Sequence, residues 1–179
     1  NHTDALSDDA TCTSSQIERN RDGALLQGAL HGLDLMCHLL GTPEMVMGMA
    51  QSQQVRMQQV EDTETLLCRL HTGAYVICEA HWNLSRQADE FEVRGSEGTL
   101  IATSFDAGAV RVLDCNGDFE DLGTVGPEGL CHQAQIDDFT EAITEGRAPA
   151  FDGYDGMMAT GIAEAAYRSR ESGRWEAVL

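Results

Sequence analysis

The chain has 179 residues, carries 30 Asp and Glu against 11 cationic side chains for a formal net charge of -19, and all of those cations are arginine. Nucleic acid and anionic membrane surfaces are bound by neutralising phosphates with basic groups, so this composition excludes both as partners. With no lysine, the chain by itself also excludes Schiff-base and lysine acid–base chemistry.

Residues 1–22 are polar and acidic and read as a lead-in to the fold. From Ala24 to Leu40 the pattern is helical, and Gly41 followed by Pro43 gives the expected order of stop signals. Residues 45–60, rich in Met, Gln and Val, read as a strand. Residues 64–82 predict a hairpin turning at Thr72-Gly73. A two-residue loop there pairs Leu70 with Tyr75 and Cys68 with Ile77 on one face, leaving Leu67, Arg69, Val76 and Cys78 on the other.

Short strands follow at 90–94, 98–104 and 109–113, punctuated by Gly95, Gly98, Gly108 and an Asn116-Gly117 turn. A helix from Leu130 to Thr144 has Ile136, Phe139, Ala142 and Ile143 on its apolar face and is closed by Gly146 and Pro149. A last helix from Tyr154 to Ser172 offers Met158, Ile162, Ala165 and Ala166 to the core, and Trp175–Leu179 reads as a terminal strand. This order predicts an α+β domain with an open-faced, mostly antiparallel sheet and helices packed on one face.

A hydrophobic content of 42% is that of a globular chain, and the length suits one domain. The six cysteines, Cys12, Cys37, Cys68, Cys78, Cys115 and Cys131, lack the density of a disulfide scaffold and predict reduced thiols in a cytoplasmic protein. No signal-peptide pattern opens the sequence, and the most apolar stretch, 23–41, is interrupted by Gln27, His31, Asp34 and His38. Excess carboxylate with arginine as the sole cation fits a salt-rich cytoplasm, hence a halophilic protein, or a GC-rich genome. A start at Asn rather than Met is expected of a fragment or a processed product.

The first helix holds the candidate site. At about 100° per residue, Gln27, His31, Asp34 and His38 stack in one polar stripe on a helix apolar on its other sides. Buried polar groups need partners or a cleft. His31, with Gln27 one turn before and Asp34 one turn after, has the setting of a general acid or base. The plainer alternative is the solvated edge of a core helix, with His31 bonded to Asp34.

A repeated C-x-x-H, Cys68/His71 and Cys78/His81, invites a zinc reading. Residues three apart on a strand point to opposite faces, so no metal site is expected. Cys37 reads as a small core residue rather than a nucleophile. Neither a P-loop nor a G-x-G-x-x-G turn after a strand is present, so no dinucleotide site is expected within the chain.

Four motifs in order carry a family resemblance. GALLQGALHGLDLMCHLLGTP (23–43) resembles the G-x-L-x-D-x-x-x-H-x-x-D-x-x-x-x-L-x-G signature of the C-terminal domain of the Gfo/Idh/MocA family, the relatives of glucose-fructose oxidoreductase and inositol dehydrogenase. EDTETLLCRLHTGAYVICEAHW is similar to that family's acidic residue, strand, x-G-x, strand hairpin, and RGSEGTL to its G-x-x-G-x-L turn. The stretch from DDFTEAITEGRAP through AAYRSRESGRWEAV is similar to its closing segment. The resemblance covers residues 17–179 and leaves 1–16 as a polar lead-in.

The resemblance implies a glyceraldehyde-3-phosphate-dehydrogenase-like C-terminal domain that lines the substrate side of a cleft shared with an N-terminal Rossmann domain, which this chain lacks. It implies NAD or NADP bound mainly by that absent domain, a sugar or polyol substrate and hydride transfer between nicotinamide and a carbinol carbon, while the open sheet face itself favours homo-oligomers. The family's histidine falls on His31, as a proton-transferring or hydroxyl-binding group, and Asp34 matches a supporting acidic residue. The family's common Asp falls on Gln27, which can bond a sugar hydroxyl but cannot accept a proton at neutral pH. Without a Rossmann domain to join it, the isolated chain is expected to be inactive. A non-catalytic binding module that keeps the fold is the alternative, and an unrelated acidic domain the third.

Overall fold

The computed structural model describes residues 23–52, 61–82, 89–104, 108–124 and 130–178. The predicted lead-in and the second half of the 45–60 strand lie outside these residues. In chain order the elements are a π-helical turn (Leu25–Ala29), α1 (Leu30–Leu40), β1 (Pro43–Gln51), β2 (Thr63–Leu70), β3 (Tyr75–His81), β4 (Phe91–Arg94), β5 (Gly98–Ala102), β6 (Ala109–Asp114), β7 (Phe119–Thr124), α2 (Leu130–Glu145), α3 (Gly153–Ser172) and β8 (Glu176–Ala177). The strands form two antiparallel sheets, ordered β3-β2-β1-β8 and β4-β5-β6-β7. The chain accordingly divides into two compact units, residues 1–83 with 156–179, and residues 84–155.

In the first unit, α1 stops where Gly41 takes φ 88° and returns its N–H to the Cys37 carbonyl at 2.9 Å, a conformation that suits a residue without Cβ. The β2–β3 hairpin differs from expectation by one residue. Leu70 N–H donates to the Ala74 carbonyl and Gly73 N–H to the Leu70 carbonyl, both at 2.9 Å, closing a three-residue loop with Gly73 at φ 86°. Arg69 therefore faces Tyr75 and Cys68 faces Val76. A left-handed glycine at the third loop position adds a residue to the turn, and a shift of one changes which side chains share a face. Leu66, Cys68, Leu70, Val76 and Cys78 consequently share one face, which α1 and α3 cover.

That core joins Leu25, Ala29, Leu33 and Met36 from the first helical segment, Val46, Leu66, Cys68 and Ala80 from the sheet, and Ala159, Ile162, Ala163, Ala165 and Ala166 from α3. The small residues on α3 bring its backbone onto β1. A Cβ on Gly48 would stand 2.8 Å from the Ala166 carbonyl oxygen. Buried Ser169 accepts the Gly48 N–H at 3.1 Å and donates to the Arg174 carbonyl at 2.6 Å, leaving neither group unsatisfied. The expected α3 contacts Met158, Ile162, Ala165 and Ala166 are all buried. On the opposite face of this sheet Met49, Tyr75 and Ile77 are exposed.

The second unit is built from tight turns. Gly95 N–H bonds to the Gly98 carbonyl at 2.8 Å across Ser96-Glu97, and a Cβ on Gly98 would come within 2.5 Å of the Leu113 carbonyl oxygen. The β6–β7 loop repeats the geometry of the β2–β3 loop. Asp114 N–H donates to the Asp118 carbonyl at 3.0 Å, Gly117 N–H donates to the Asp114 carbonyl at 3.2 Å, and Gly117 takes φ 91°. Strand β7 was not foreseen; it is an edge strand of polar sequence, exposed throughout, with no alternation to reveal it.

Helix α2 runs where the periodicity places it, but of its apolar face only Ala142 is buried; Ile136, Phe139 and Ile143 are exposed. Its end is stapled by Arg147, which reaches Asp138 at 2.9 Å and Glu145 at 3.0 Å. The Asp138 carboxylate also accepts the Ala150 N–H at 2.8 Å, and this bond, followed by that from Arg147, holds its carboxyl below the usual range.

Candidate active site

The segment carrying Gln27 and His31 is not one uniform α-helix. Leu25–Ala29 is a π-helical turn, and α-helical pitch begins only at Leu30. A π-turn takes more residues per revolution than the 3.6 assumed for the polar stripe, and such turns concentrate at functional sites. Across this change of pitch Gln27 and His31 both remain exposed, Asp34 is half-buried and His38 is exposed. The opposite side, Ala24, Leu25, Ala29, Leu33 and Met36, is buried. The prediction of three apolar sides fails at Leu39, which is 54% exposed.

Among the described residues, no side chain or backbone group bonds to the His31 ring, so the expected His31–Asp34 bond is absent. Trp82, just past β3, lies against the same turn. Its Nε1 is 3.8 Å from the place a Cβ on exposed Gly28 would occupy. Neither periodicity nor spacing signalled Trp82, because its neighbour in space lies on a different element.

Beneath this surface lies a charged network that no local sequence pattern reveals. Glu61, Asp62 and Glu64 are all buried, the last two completely. Arg170 on α3 places Nη1 3.3 Å from both Glu61 Oε2 and Glu64 Oε2. The Tyr167 hydroxyl donates to Glu61 Oε1 at 3.1 Å. One guanidinium shared by two carboxylates cannot neutralise both. Burial accordingly pushes the Glu64 carboxyl up to about 7, with Arg170 opposing and the Glu61 charge adding to the rise. Among the described residues Glu64 Oε1 has no hydrogen-bond partner.

The cysteine–histidine pairs do not converge. His71 lies in the β2–β3 loop with Nδ1 3.1 Å from Glu44 Oε2, while Cys68 faces the core. Burial pushes the Cys68 thiol up to about 12 and the Cys78 thiol up to about 11. Thiols held this firmly in protonated form are neither ready nucleophiles nor ready metal ligands. Cys37 packs against the same core. Among the described residues no group of three His, Cys, Asp or Glu side chains is arranged to hold a metal ion. Among those residues, too, no glycine-rich turn leads from a strand into a helix N-terminus, the arrangement that binds a dinucleotide's pyrophosphate. Among the described residues no helix is long and apolar enough to cross a membrane.

Residues 15–178 match the family model described as the oxidoreductase family, C-terminal alpha/beta domain, of Gfo/Idh/MocA proteins. No protein of curated function matches the sequence. Solved structures do match in fold. An aldose-aldose oxidoreductase from Caulobacter crescentus, complexed with glycerol, superposes with a TM-score of 0.79 at 24% identity over 92% of this chain and 51% of its own. The WlbA dehydrogenase from Bordetella pertussis, in complex with NADH and UDP-GlcNAcA, gives 0.73 at 19% identity over 94% and 54%. An oxidoreductase from Agrobacterium radiobacter in complex with NAD+, L-tartaric acid and magnesium gives 0.71 at 19% over 85% and 48%. This chain thus spans about half the length of each.

Proposed function

The chain belongs to the Gfo/Idh/MocA oxidoreductase family as its C-terminal α/β domain, and from that premise we propose that it forms the substrate side of a nicotinamide-dependent oxidoreductase acting on a sugar, polyol or related hydroxy compound. The observation that carries this reading is the exposed His31 ring, unbonded among the described residues, on the same helical segment as exposed Gln27. His31 takes the hydroxyl proton when the carbinol is oxidised and returns it in the reverse direction. Gln27 donates to or accepts from a second hydroxyl and orients the substrate, without proton transfer of its own. Half-buried Asp34 supports the helix surface next to His31. NAD or NADP is held by a Rossmann domain outside this chain, in line with the NADH and NAD+ present in two of the structural relatives. No metal has a place in this scheme.

The test is turnover in an enzyme comprising this domain and its Rossmann half, assayed by NAD(P)H absorbance against a panel of aldoses and polyols. His31→Ala should lower kcat by about 10²–10⁴-fold, the usual range for a lost general acid or base. Gln27→Ala should act mainly on KM, as expected when uniform binding is removed. Wild-type kcat in His31→Ala overturns the assignment. The second reading, a binding module without chemistry, is motivated by Gln27 standing where the family's Asp is expected. It predicts polyol binding with no turnover in the unmutated enzyme.

Association through the uncovered sheet face is part of the same proposal. Met49, Tyr75 and Ile77 are each more than 60% exposed there, an apolar surface suited to a second copy of the chain. Ile77→Glu should shift the sedimentation coefficient to that of the monomer; an unchanged value removes this face from the assembly.

A further inference from the structure

The placement of Gln27 depends on what the π-turn rests on, and that support is a buried carboxylate. Gly23 is buried, and a methyl group added to it would overlap the carboxyl group of Glu61. Ala24 N–H donates to the Glu61 carbonyl at 3.0 Å, and Gln27 N–H donates to the Gly23 carbonyl at 3.2 Å. Glu61 is therefore in contact, by side chain and by backbone, with the two residues from which the turn departs. Its own carboxylate is fixed from α3, by the Tyr167 hydroxyl at 3.1 Å and Arg170 at 3.3 Å. The Trp82 indole stands against the turn at Gly28, and its residue is tied back beside Glu61 by Trp82 N–H donating to the Asp62 carbonyl at 2.8 Å.

A buried carboxylate is a costly way to fill space, since ionised groups lose hydration that only directional partners restore. Those directional bonds also fix position more sharply than apolar packing does. We infer that Glu61 is a positioning residue: held by Tyr167 and Arg170, it seats Gly23 and the π-turn, and so sets where Gln27 stands relative to His31. The inference rests on the reading of Gln27 and His31 as the site, and Glu61 itself touches no substrate. It explains why Gly23 must lack a side chain.

The experiment is amide NMR on this 179-residue chain, following the Gln27 backbone amide, the Trp82 indole N–H, and amide exchange at Ala24, with Val46 and Leu66 in the β1–β2 ladder as internal controls. Tyr167→Phe removes one bond to the Glu61 carboxylate and little else. It should shift the Gln27 and Trp82 signals and speed Ala24 exchange about tenfold, the equivalent of one hydrogen bond at about 1.4 kcal/mol, while Val46 and Leu66 keep their protection. Glu61→Gln, which retains an acceptor for Tyr167, should lie closer to the unmutated chain than Glu61→Ala. If Glu61→Ala does not fold, Tyr167→Phe decides.

Unmoved Gln27 and Trp82 signals in Tyr167→Phe overturn the inference. So does movement that comes only together with Val46 and Leu66, the mark of general loosening. Turnover enters none of these readouts. Failure of the His31→Ala test would sink the functional reading and leave the seating intact, whereas unmoved signals would do the reverse.

Discussion

In the first unit one face of the sheet lies under α1 and α3, with Val46, Leu66 and Cys68 fully buried. In the second, no residue of β4–β7 is fully buried, and among the described side chains Ala142 is the buried hydrophobic of α2. The two sheets nevertheless use the same hairpin device, a three-residue loop ending in a left-handed glycine, at Gly73 and at Gly117. Local turn chemistry is thus equal in both, and the contrast lies in side-chain burial. The candidate site is built on the unit with the dense core, whereas in the second unit Phe119, Leu122, Ile136, Phe139 and Ile143 are exposed.

The largest expected effect is in the first core. Ile162→Ala should cost about 4 kcal/mol in urea unfolding followed by tryptophan fluorescence. Trp82 and Trp175 both lie in the first unit, so this signal reports it specifically. A cost below about 1 kcal/mol would erase the contrast with the second unit.

Next comes pH. The folded-state carboxyl of Glu64 sits at about 7 against an ordinary 4.5, so the native state holds a proton that the unfolded chain has released. Stability from this group is fully present below about 4.5 and is lost as pH rises through about 7, by about 3 kcal/mol in all. Glu64→Gln should flatten that loss when urea midpoints at pH 5 and pH 8 are compared. An equally steep decline in the variant assigns the effect elsewhere.

A smaller cost, about 2 kcal/mol, is expected for Gly48→Ala, whose methyl would meet the Ala166 backbone at 2.8 Å. Chemical denaturation at fixed pH reads it, and a neutral result would mean that α3 moves aside freely. The smallest effect sharpens the comparison from the other side. Phe139→Ser on the exposed face of α2 should change the stability of the helix, followed by far-UV circular dichroism, by no more than about 0.5 kcal/mol. A cost above 2 kcal/mol would show that this side chain is covered in solution.

Much of the fold was legible from local signals. Gly41 and Pro43 placed the end of α1, the Asn116-Gly117 turn stands where expected, and the spacing of Met158, Ile162, Ala165 and Ala166 identified the buried side of α3. The hairpin at 71–73 was legible as a hairpin but not in register, because a left-handed Gly73 serves a two-residue loop and a three-residue loop equally well. Strand β7 escaped because an exposed edge strand needs no alternation.

For the site, His31 and Gln27 were legible as an exposed pair from helical spacing, although the π-turn between them was not. Glu61, Glu64, Tyr167 and Arg170 were not legible as a group, since Tyr167 and Arg170 meet carboxylates 106 residues away in sequence. In the amino-acid sequence Arg170 is one of 11 arginines facing 30 acidic residues, with nothing to single out its partners.

The sequence by itself determined most of the helices, strands and turns, with strand β7 and the π-turn excepted, and that Gln27 and His31 share an outward side of the first helical segment, because those properties depend on neighbours within a few residues. The tertiary structure alone decided the hairpin register, the division into two sheets, and the buried network on which the π-turn sits. Those depend on contacts between distant elements, where the desolvation of a carboxylate or the approach of a helix backbone to Gly48 is settled by packing rather than by local preference.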